Sequence, residues 1–442
     1  MIPVRLILPS TLDDMPKTNT LNSYWPLRNN KNEFNWDVVV GLFLGAACRQ
    51  QIQGYSQDEL IADCRKAFED KLDDVDFWNI LEQMYFENGA FYKIAPECLL
   101  FRAQKTNIKA ADVRIASMYL GLLNGVDLSN YLCSEVNFIE QQIVDVLRKK
   151  ITPGLISSGE YPYLPFLSEC FQKDLLFLSS KPKYMLGEFK NFLSFYGFLY
   201  CSQLALNLPE WRKGAPKSKP LYFIMDNEKA SSERTEIQRY GWRSFHEAAN
   251  TLFPLLSMLE NLQLEDKKSV RYPLWYMAES LKDHKDAYLY RDSIKKFALA
   301  FKEQRNLSTE MKQSNDVLDW LDNLQKLAVA QFGKDLTDSS RYDVNRKYVN
   351  ELVELICGGF VQSRGRAGRV LVINQDNLIL LTNISIGNND KLRFHELVRA
   401  FENRGVYLDK QTQQKLIEFY ERIGNVERMS DSGDAVYVRK TI

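Results

Sequence analysis

The sequence lacks the cysteine and histidine spacings from which zinc fingers and zinc ribbons are built, so we expect no metal site. It has seven cysteines without one C-x-x-C pair, and only three histidines. The odd cysteine number and the missing charged-then-apolar leader at Met1 to Pro9 predict a reducing, cytoplasmic location. The cysteines are Cys48, Cys64, Cys98, Cys133, Cys170, Cys201 and Cys357, and the histidines are His246, His284 and His395.

The sequence also lacks the glycine-rich motifs that hold phosphates or nucleophiles. No G-x-x-x-x-G-K-[ST] segment occurs, so the apolar run Leu221 to Met225, which ends at Asp226, has no phosphate cradle as partner. No G-x-S-x-G elbow is present either. Asp226, Glu228 and Lys229 crowd together without the alternation of a restriction-type nuclease site. We expect no cofactor, and any ATP would be bound by another subunit.

Long apolar runs and net charge are both missing. The longest apolar run near the amino terminus, Val38 to Cys48, is too short to span a bilayer, which predicts a buried helix. The 57 basic and 57 acidic residues cancel, so any nucleic-acid contact must come from a local patch. The 442 residues exceed what one hydrophobic core usually serves. Two or three domains are therefore expected.

Helical periodicity dominates the pattern of apolar residues and predicts a mainly α, multi-domain protein. The stretch Leu208 to Pro220 is rich in proline and lysine and reads as a loop. The strand candidate Leu221 to Met225 follows it, and helical patterns resume at Trp242. A second polar stretch runs from Gln331 to Asn345. These breaks predict an N-terminal helical domain at 1–207, a middle helical domain at 221–335 and a C-terminal domain at 345–442.

The C-terminal segment has the order of elements found in winged helix-turn-helix domains. Three helices are predicted, and an alternating pair of strands after them flanks a tight-turn sequence, which predicts a hairpin that would form the wing. The third helix is expected to rest on a core and to present polar groups outward. The helices are Asp376 to Ile386, about Lys391 to Asn403 and about Lys410 to Gly424, and the strands Val426 to Ser430 and Ala435 to Arg439 flank Asp431-Ser432-Gly433-Asp434.

A loop with three arginines precedes this predicted domain. Arg364, Arg366 and Arg369 are separated by glycine and alanine, so the backbone can approach a polyanion while the guanidinium groups bind phosphate through paired hydrogen bonds. A solvated loop that joins a helix to a strand explains the same residues equally well. The adjoining winged helix favours phosphate contact.

Further candidates for DNA contact lie on the third helix and at the end of the hairpin. Amide and basic side chains of this kind suit base edges and phosphates. However, Glu418 and Glu421 add negative charge to the helix, and Asp431 and Asp434 add it to the wing. This mixture argues against sequence-specific reading and leaves a protein-binding role for the winged helix open. The candidates are Gln413, Gln414, Lys415, Arg422, Arg439 and Lys440.

The C-terminal residues resemble a known family, the DNA phosphorothioation-dependent restriction protein DptG, also called DndG. The resemblance covers roughly the last hundred residues, and the rest of the chain shares only a diffuse, helix-rich character. Its motifs are Arg364-Gly365-Arg366 with Gly368, Gln375-Asp376 before an apolar helix, Phe401-Glu402 with Arg404-Gly405 and Asp409, and Ser430-Asp431-Ser432-Gly433-Asp434-Ala435 with Tyr437-Val438.

The resemblance implies a role in bacterial defence. Members of the family act with two companion proteins, including ATPase or helicase-like subunits, to damage DNA that lacks phosphorothioate modification. The resemblance assigns no catalytic residue to this sequence. The resulting hypothesis is a non-catalytic subunit whose winged helix and arginine loop hold double-stranded DNA, while its helical body docks the companion subunits.

The sequence leaves three alternatives open. The first is a scaffold of the same complex that binds only proteins. The second is a metal-dependent nuclease subunit, for which Asp226 and Glu228 are the first candidates. The third is a transcription regulator, which the acidic third helix and the lack of a recognisable ligand domain disfavour.

Overall fold

The computed structural model describes residues 6–9, 12–15, 24–69, 77–104, 108–132, 134–154, 160–231, 233–264, 270–334, 339–429 and 435–442. The protein is mainly α, with 63% helix and 8% strand, as the helical periodicity predicts. The predicted turn Asp431-Ser432-Gly433-Asp434 and Cys133 lie outside the described residues. No helix in the described ranges combines the length and the apolar character that crossing a membrane requires.

The first part of the chain folds into seven α-helices within the described ranges, and two very short strands pair in antiparallel fashion. The Asn35 side chain caps the first helix by accepting the Asp37 N–H at 2.9 Å. This helix is the one predicted at Val38 to Cys48. The elements are α1 (Trp36–Ala47), β1 (Gln50–Gln51), α2 (Gln57–Glu69), α3 (Phe77–Phe86), α4 (Ala110–Leu123), α5 (Phe138–Arg148), β2 (Thr152–Pro153), α6 (Pro165–Ser179) and α7 (Pro182–Asn207).

The helix α7 forms the centre of the hydrophobic core, because its apolar residues face inward around most of its circumference. Phe192, Phe195 and Phe198 are each fully buried. Burying a side chain of this size contributes about 1.5–3 kcal/mol. Phe198 also stacks on Phe360, with ring centroids 4.5 Å apart, so the core of the first part continues into the last part of the chain.

The middle of the chain adds one strand and seven helices within the described ranges. The strand lies within the predicted run Leu221 to Met225. The last helix, α14, continues through a π-helical turn at Val353–Cys357 towards the next strand. The elements are β3 (Tyr222–Met225), α8 (Thr235–Tyr240), α9 (Trp242–Ala249), α10 (Leu252–Asn261), α11 (Leu274–Lys282), α12 (Ala287–Gln304), α13 (Val317–Ala330) and α14 (Ser339–Leu352).

The C-terminal part alternates strands and helices. Most of its predicted elements agree with the structure to within two residues, but the prediction of helix at Lys391 to Arg393 is wrong, because these residues form a strand paired with the last strand of the chain. The elements are β4 (Val361–Ser363), β5 (Arg369–Ile373), α15 (Gln375–Ile386), β6 (Lys391–Arg393), α16 (Phe394–Asn403), β7 (Tyr407–Leu408), α17 (Lys410–Arg422), β8 (Val426–Met429) and β9 (Ala435–Arg439).

A four-stranded sheet in the order β4-β5-β3-β7 connects the middle and C-terminal parts. Strand β3 is parallel to β5 and β7, whereas β4 is antiparallel to β5. On one face, Ile224, Val370 and Val372 pack against Ile237 of α8. The other face, with Phe223 and Leu371, joins the main core. The strand predicted after the lysine-rich loop is therefore the centre of a sheet assembled from distant segments.

A second sheet contains three antiparallel strands in the order β6-β9-β8. Leu392 and Val426 both pair with Val438 of the central strand, and the Val438 side chain is fully buried. The same hydrophobic core contains residues from all three predicted segments, 1–207, 221–335 and 345–442. The predicted boundaries thus fall between segments that share one core.

Candidate nucleic-acid interface

The arginine loop, residues 364–369, connects β4 to β5 through a tight turn. The Arg364 N–H donates to the Gly368 carbonyl at 2.8 Å. Gly365 and Gly368 have φ angles of 51° and 71°, a left-handed conformation that residues with a Cβ adopt only with strain. The two glycines are therefore required by the turn itself. The spacing of arginine and glycine in the sequence reflects this geometry.

Arg364 differs from the other two arginines of the loop because its guanidinium is bound by Asp226. Its Nη2 donates to the Asp226 carbonyl and lies 3.5 Å from the Asp226 carboxylate. The Gln362 side chain donates to the same carboxylate at 2.9 Å. Arg364 therefore fastens the loop to the turn after β3, and its charge is already partly compensated.

Arg366 and Arg369 are exposed, and none of the described acidic side chains forms an ion pair with either of them. The Arg369 guanidinium carbon lies 5.7 Å from the centroid of the Trp242 ring. Such stacking orients a cation without neutralising its charge. The loop therefore presents two charged guanidinium groups to solvent, and one of them is held in position by an aromatic ring.

His246 lies next to this stack, with its ring centroid 5.1 Å from that of Trp242. Partial burial lowers the pKa of His246 below its ordinary value, and the Arg369 cation lowers it further. Glu247 acts in the opposite direction but does not reverse the shift. The pKa of the His246 imidazole therefore depends on the charge of Arg369.

The predicted contact residues in the middle of α17 are only partly available to a ligand. Gln413 donates its side-chain N–H to the Leu408 carbonyl at 2.8 Å, so this amide helps to close the start of the helix. Lys415 pairs with Glu418 at 2.7 Å. Gln414 is exposed. This part of α17 therefore presents polar groups whose charges largely compensate one another.

The remaining predicted contacts lie at the end of α17 and at the end of the chain. Arg422 is exposed, and its guanidinium carbon lies 5.7 Å from the Phe419 ring centroid. Arg439 forms an ion pair with Glu427 on the neighbouring strand. Lys440 donates to two backbone carbonyls after α15, at 3.0 and 3.2 Å. Arg439 and Lys440 thus already stabilise the fold of the C-terminal part.

The sheet register places Arg369, the last residue of the arginine loop, and the start of α17 at opposite ends of the parallel strands. The parallel strands begin at one end with Tyr222, Arg369 and Tyr407, and the arginine loop leads directly into this end. Helix α17 begins just after β7 ends, at the other end. A four-residue strand spans roughly 13 Å. Arg369 is therefore separated from the candidates on α17, whereas the Arg364 side chain reaches the turn after β3.

A buried ion network holds the first turn of α17 against the turn after β3. Arg234 donates to Glu228 at 2.7 Å and to both oxygens of Asp409 at 2.5 and 2.8 Å. Asp409 is the N-cap of α17 and accepts the Thr412 N–H at 2.9 Å. Burial by itself would raise the pKa of Asp409, but the hydrogen bonds from Arg234 and Thr412 hold it below its ordinary value. No sequence pattern singled out Arg234 for this role.

The two carboxylates considered for a nuclease site each serve a structural contact. Glu228 is buried in the Arg234 network, and one of its oxygens also accepts the Met225 N–H at 3.1 Å. Asp226 is exposed and bonded to Gln362 and Arg364. Among the described residues, no group of three or more acidic, histidine or cysteine side chains is arranged to hold a metal ion.

Comparison with known proteins identifies no relative, because no protein-family model matches the chain and no curated protein is similar to it.

Proposed function

We propose that this protein is a DNA-binding subunit that contacts the sugar-phosphate backbone through the arginine loop. The observation that carries the proposal is the pair of exposed guanidinium groups of Arg366 and Arg369. The loop that presents them is anchored by Arg364. Guanidinium groups bind phosphate through paired, charge-assisted hydrogen bonds. Backbone contacts of this kind fix position without reading sequence.

The arrangement of residues 375–442 supports the assignment of this part as a winged helix. The order is α15-β6-α16-β7-α17-β8-β9, in which β7 belongs to the four-stranded sheet. The other elements, with β9 between β6 and β8, correspond to three helices and a three-stranded sheet whose last two strands form the wing. In such domains the third helix usually enters the major groove. Here the start of α17 is occupied by the Arg234 network, so we propose that α17 does not read bases.

The larger setting of the proposal rests on the resemblance to the DptG family. On that resemblance we propose a phosphorothioation-dependent restriction complex of bacterial defence, in which the chain is a non-catalytic subunit that works with ATPase or helicase-like companions in the cytoplasm. The absence of a phosphate-binding loop motif from the sequence supports the assignment of ATP chemistry to those companions.

A purely protein-binding scaffold is the second candidate, and the surface of α17 is the observation that favours it. Lys415 with Glu418, and Glu421 with Arg428, form ion pairs along the exposed side of the helix. Mixed charges of this kind suit a protein surface better than a polyphosphate. In this candidate, α17 would contact a companion subunit and the arginine loop would remain solvated.

A binding assay with a labelled DNA duplex separates the two candidates. The purified chain is titrated at low salt, next to an Arg366→Ala/Arg369→Ala variant and an Arg65→Ala control in the exposed part of α2. We expect the double variant to lose at least tenfold in affinity, the control to bind normally, and unrelated duplex sequences to bind alike. No binding by the unaltered chain, or equal binding by the double variant, would favour the scaffold.

A further inference from the structure

A cleft opens in the first part of the protein, between the starts of α1, α2 and α4 and the first half of α7. Its volume is about 1100 Å³, and the residues that line it belong neither to the arginine loop nor to α17. Clefts that bind small molecules usually have volumes of about 300–1,000 Å³. The cleft is therefore large enough for a ligand of the size of a nucleotide.

Aromatic rings form the apolar part of the cleft wall. Phe34 and Trp36 stand on either side of the N-cap of α1, with their ring centroids 5.0 Å apart and their planes at 81°. Tyr55 and Phe101 add a buried pair whose centroids are 6.0 Å apart. Phe34 and Trp36 are only half-buried, so part of their ring surface stays open to a ligand. Flat aromatic groups stack favourably on such a surface.

The acidic side chains that line the cleft are already bound by the protein. Asp112 is 1% exposed and accepts the backbone N–H groups of Asn35 and Lys109, both at 2.7 Å. The Glu59 carboxylate accepts the Ser56 N–H at 2.7 Å and the Ser56 hydroxyl at 2.9 Å. Both carboxylates therefore serve to close the starts of α4 and α2, and these hydrogen bonds partly compensate their charge.

Two lysines line the same cleft, and their charges are available to a ligand. Lys190 of α7 is exposed and forms no ion pair with an acidic side chain in the part of the chain that the structure describes. Lys109 pairs with Glu33 at 3.2 Å, but the two side chains are 56% and 87% exposed. An exposed pair of this kind contributes only about 0–1 kcal/mol, so a phosphate can replace Glu33. The groups that remain for a ligand are thus aromatic rings and two cations.

We propose that this cleft binds a nucleoside monophosphate, with the base stacked on Phe34 and Trp36 and the phosphate held by Lys109 and Lys190. A nucleotide joins a flat aromatic group to an anion, and these are the two chemistries that the remaining groups of the cleft complement. Stacking does not depend on the identity of the base, so nucleotides with different bases should bind alike. The inference assigns binding and no bond cleavage, and it does not depend on DNA binding by the arginine loop.

The test is isothermal titration calorimetry of the full chain with adenosine 5′-monophosphate, with adenosine and with inorganic phosphate. The variants are Lys190→Ala, Lys190→Arg and Trp36→Leu, of which the last keeps an apolar side chain at a half-buried position. Lys183→Ala is the matched control, because Lys183 is exposed on the same helix but does not line the cleft. Thermal melting confirms that every variant is folded.

We expect the nucleotide to bind about tenfold or more tightly than adenosine or phosphate alone, because only the nucleotide uses both parts of the cleft. Lys190→Ala should weaken nucleotide binding about tenfold and leave adenosine binding unchanged, since only a phosphate contact is lost. Trp36→Leu should weaken the binding of nucleotide and adenosine alike, by about tenfold. Lys190→Arg and Lys183→Ala should bind like the unaltered chain.

Three results would overturn the inference. The first is an unaltered chain that does not bind the nucleotide at about 1 mM. The second is adenosine or phosphate binding as tightly as the nucleotide, because the cleft would then hold only one of the two groups. The third is a Lys190→Ala variant with normal nucleotide affinity, and this comparison decides the question even if Trp36→Leu does not fold. Duplex binding is measured separately, so the proposed function stands or falls independently.

Discussion

Arg404, at the end of α16, forms a buried ion pair with Asp174 of α6, from Nε to Oδ2 at 2.7 Å and from Nη2 to Oδ1 at 2.5 Å. The Tyr196 hydroxyl of α7 donates to the same Oδ2 at 2.5 Å. Both members of the pair are almost completely buried, and they are 230 residues apart in the chain. This contact fastens the end of α16 to α6 in the first part of the protein.

Replacing Arg404 should destabilise the whole protein. Arg404→Met leaves the Asp174 carboxylate buried without a partner, which typically costs about 3–5 kcal/mol of unfolding free energy. Urea denaturation measures the loss. An Arg404→Met/Asp174→Leu variant should recover much of it, because no charge then remains buried. A single variant within about 1 kcal/mol of the unaltered chain would show that the pair is not important for stability.

The Arg234 network should make the docking of α17 sensitive to acid. The pKa of Asp409 is lower in the folded protein than in the unfolded chain, so the ionised carboxylate contributes fully to folding stability above its ordinary pKa near 3.8. This stabilisation is lost as the pH falls through the lower pKa of the folded state. We expect amide protons at the start of α17 to exchange faster below about pH 4. In Arg234→Met this acid dependence should be weaker, and an identical pH profile would contradict the assignment.

His246 should report phosphate binding at the arginine loop. The Arg369 cation contributes to the lowered pKa of His246, so Arg369→Ala should raise that pKa towards its ordinary value near 6.5. A DNA phosphate that neutralises Arg369 should shift it in the same direction. With three histidines in the sequence, NMR titration of the imidazole signals resolves the change. An unchanged midpoint with saturating DNA would place the phosphate elsewhere.

Asp226 should matter for the arginine loop and not for bond cleavage. Asp226→Ala removes the carboxylate beside Arg364 and keeps the backbone carbonyl to which Arg364 donates, so the charge of a third guanidinium is no longer compensated and duplex affinity should stay equal or rise. A plasmid-nicking assay with Mg²⁺ or Mn²⁺ compares this variant with the unaltered chain. We expect neither protein to nick DNA. Metal-dependent nicking that disappears in Asp226→Ala would establish the nuclease alternative.

The sequence predicts local elements of this fold well where the periodicity is strong. Helix α15 and strand β9 match their predicted bounds almost residue for residue, because an N-cap, a glycine and an alternating pattern define them. The helix predicted from Lys391 was wrong in its first turn. The Arg393 N–H bonds to Glu396 at 3.1 Å, so the helix starts after a three-residue strand that only its pairing with β9 reveals.

The long-range relationships could not be predicted from the sequence. Strand β7 has two residues, which is too short for any pattern, yet its pairing with β3 brings Tyr407 beside Tyr222. Arg234 and Arg404 resemble surface arginines in the sequence, and only their contacts with distant carboxylates explain their burial. For the candidate site, the arginine loop was predicted, but its separation from α17 and the anchoring of Arg364 depend on tertiary structure.

The central claim, phosphate binding by the arginine loop, is tested most directly by the salt dependence of duplex binding. The slope of log affinity against log salt concentration counts the phosphate contacts, at about 0.9 per contact on duplex DNA. For Arg366→Ala/Arg369→Ala we expect this slope to fall by up to about one unit for each arginine removed, relative to the unaltered chain and to Arg65→Ala. Equal slopes for all three proteins would contradict the claim.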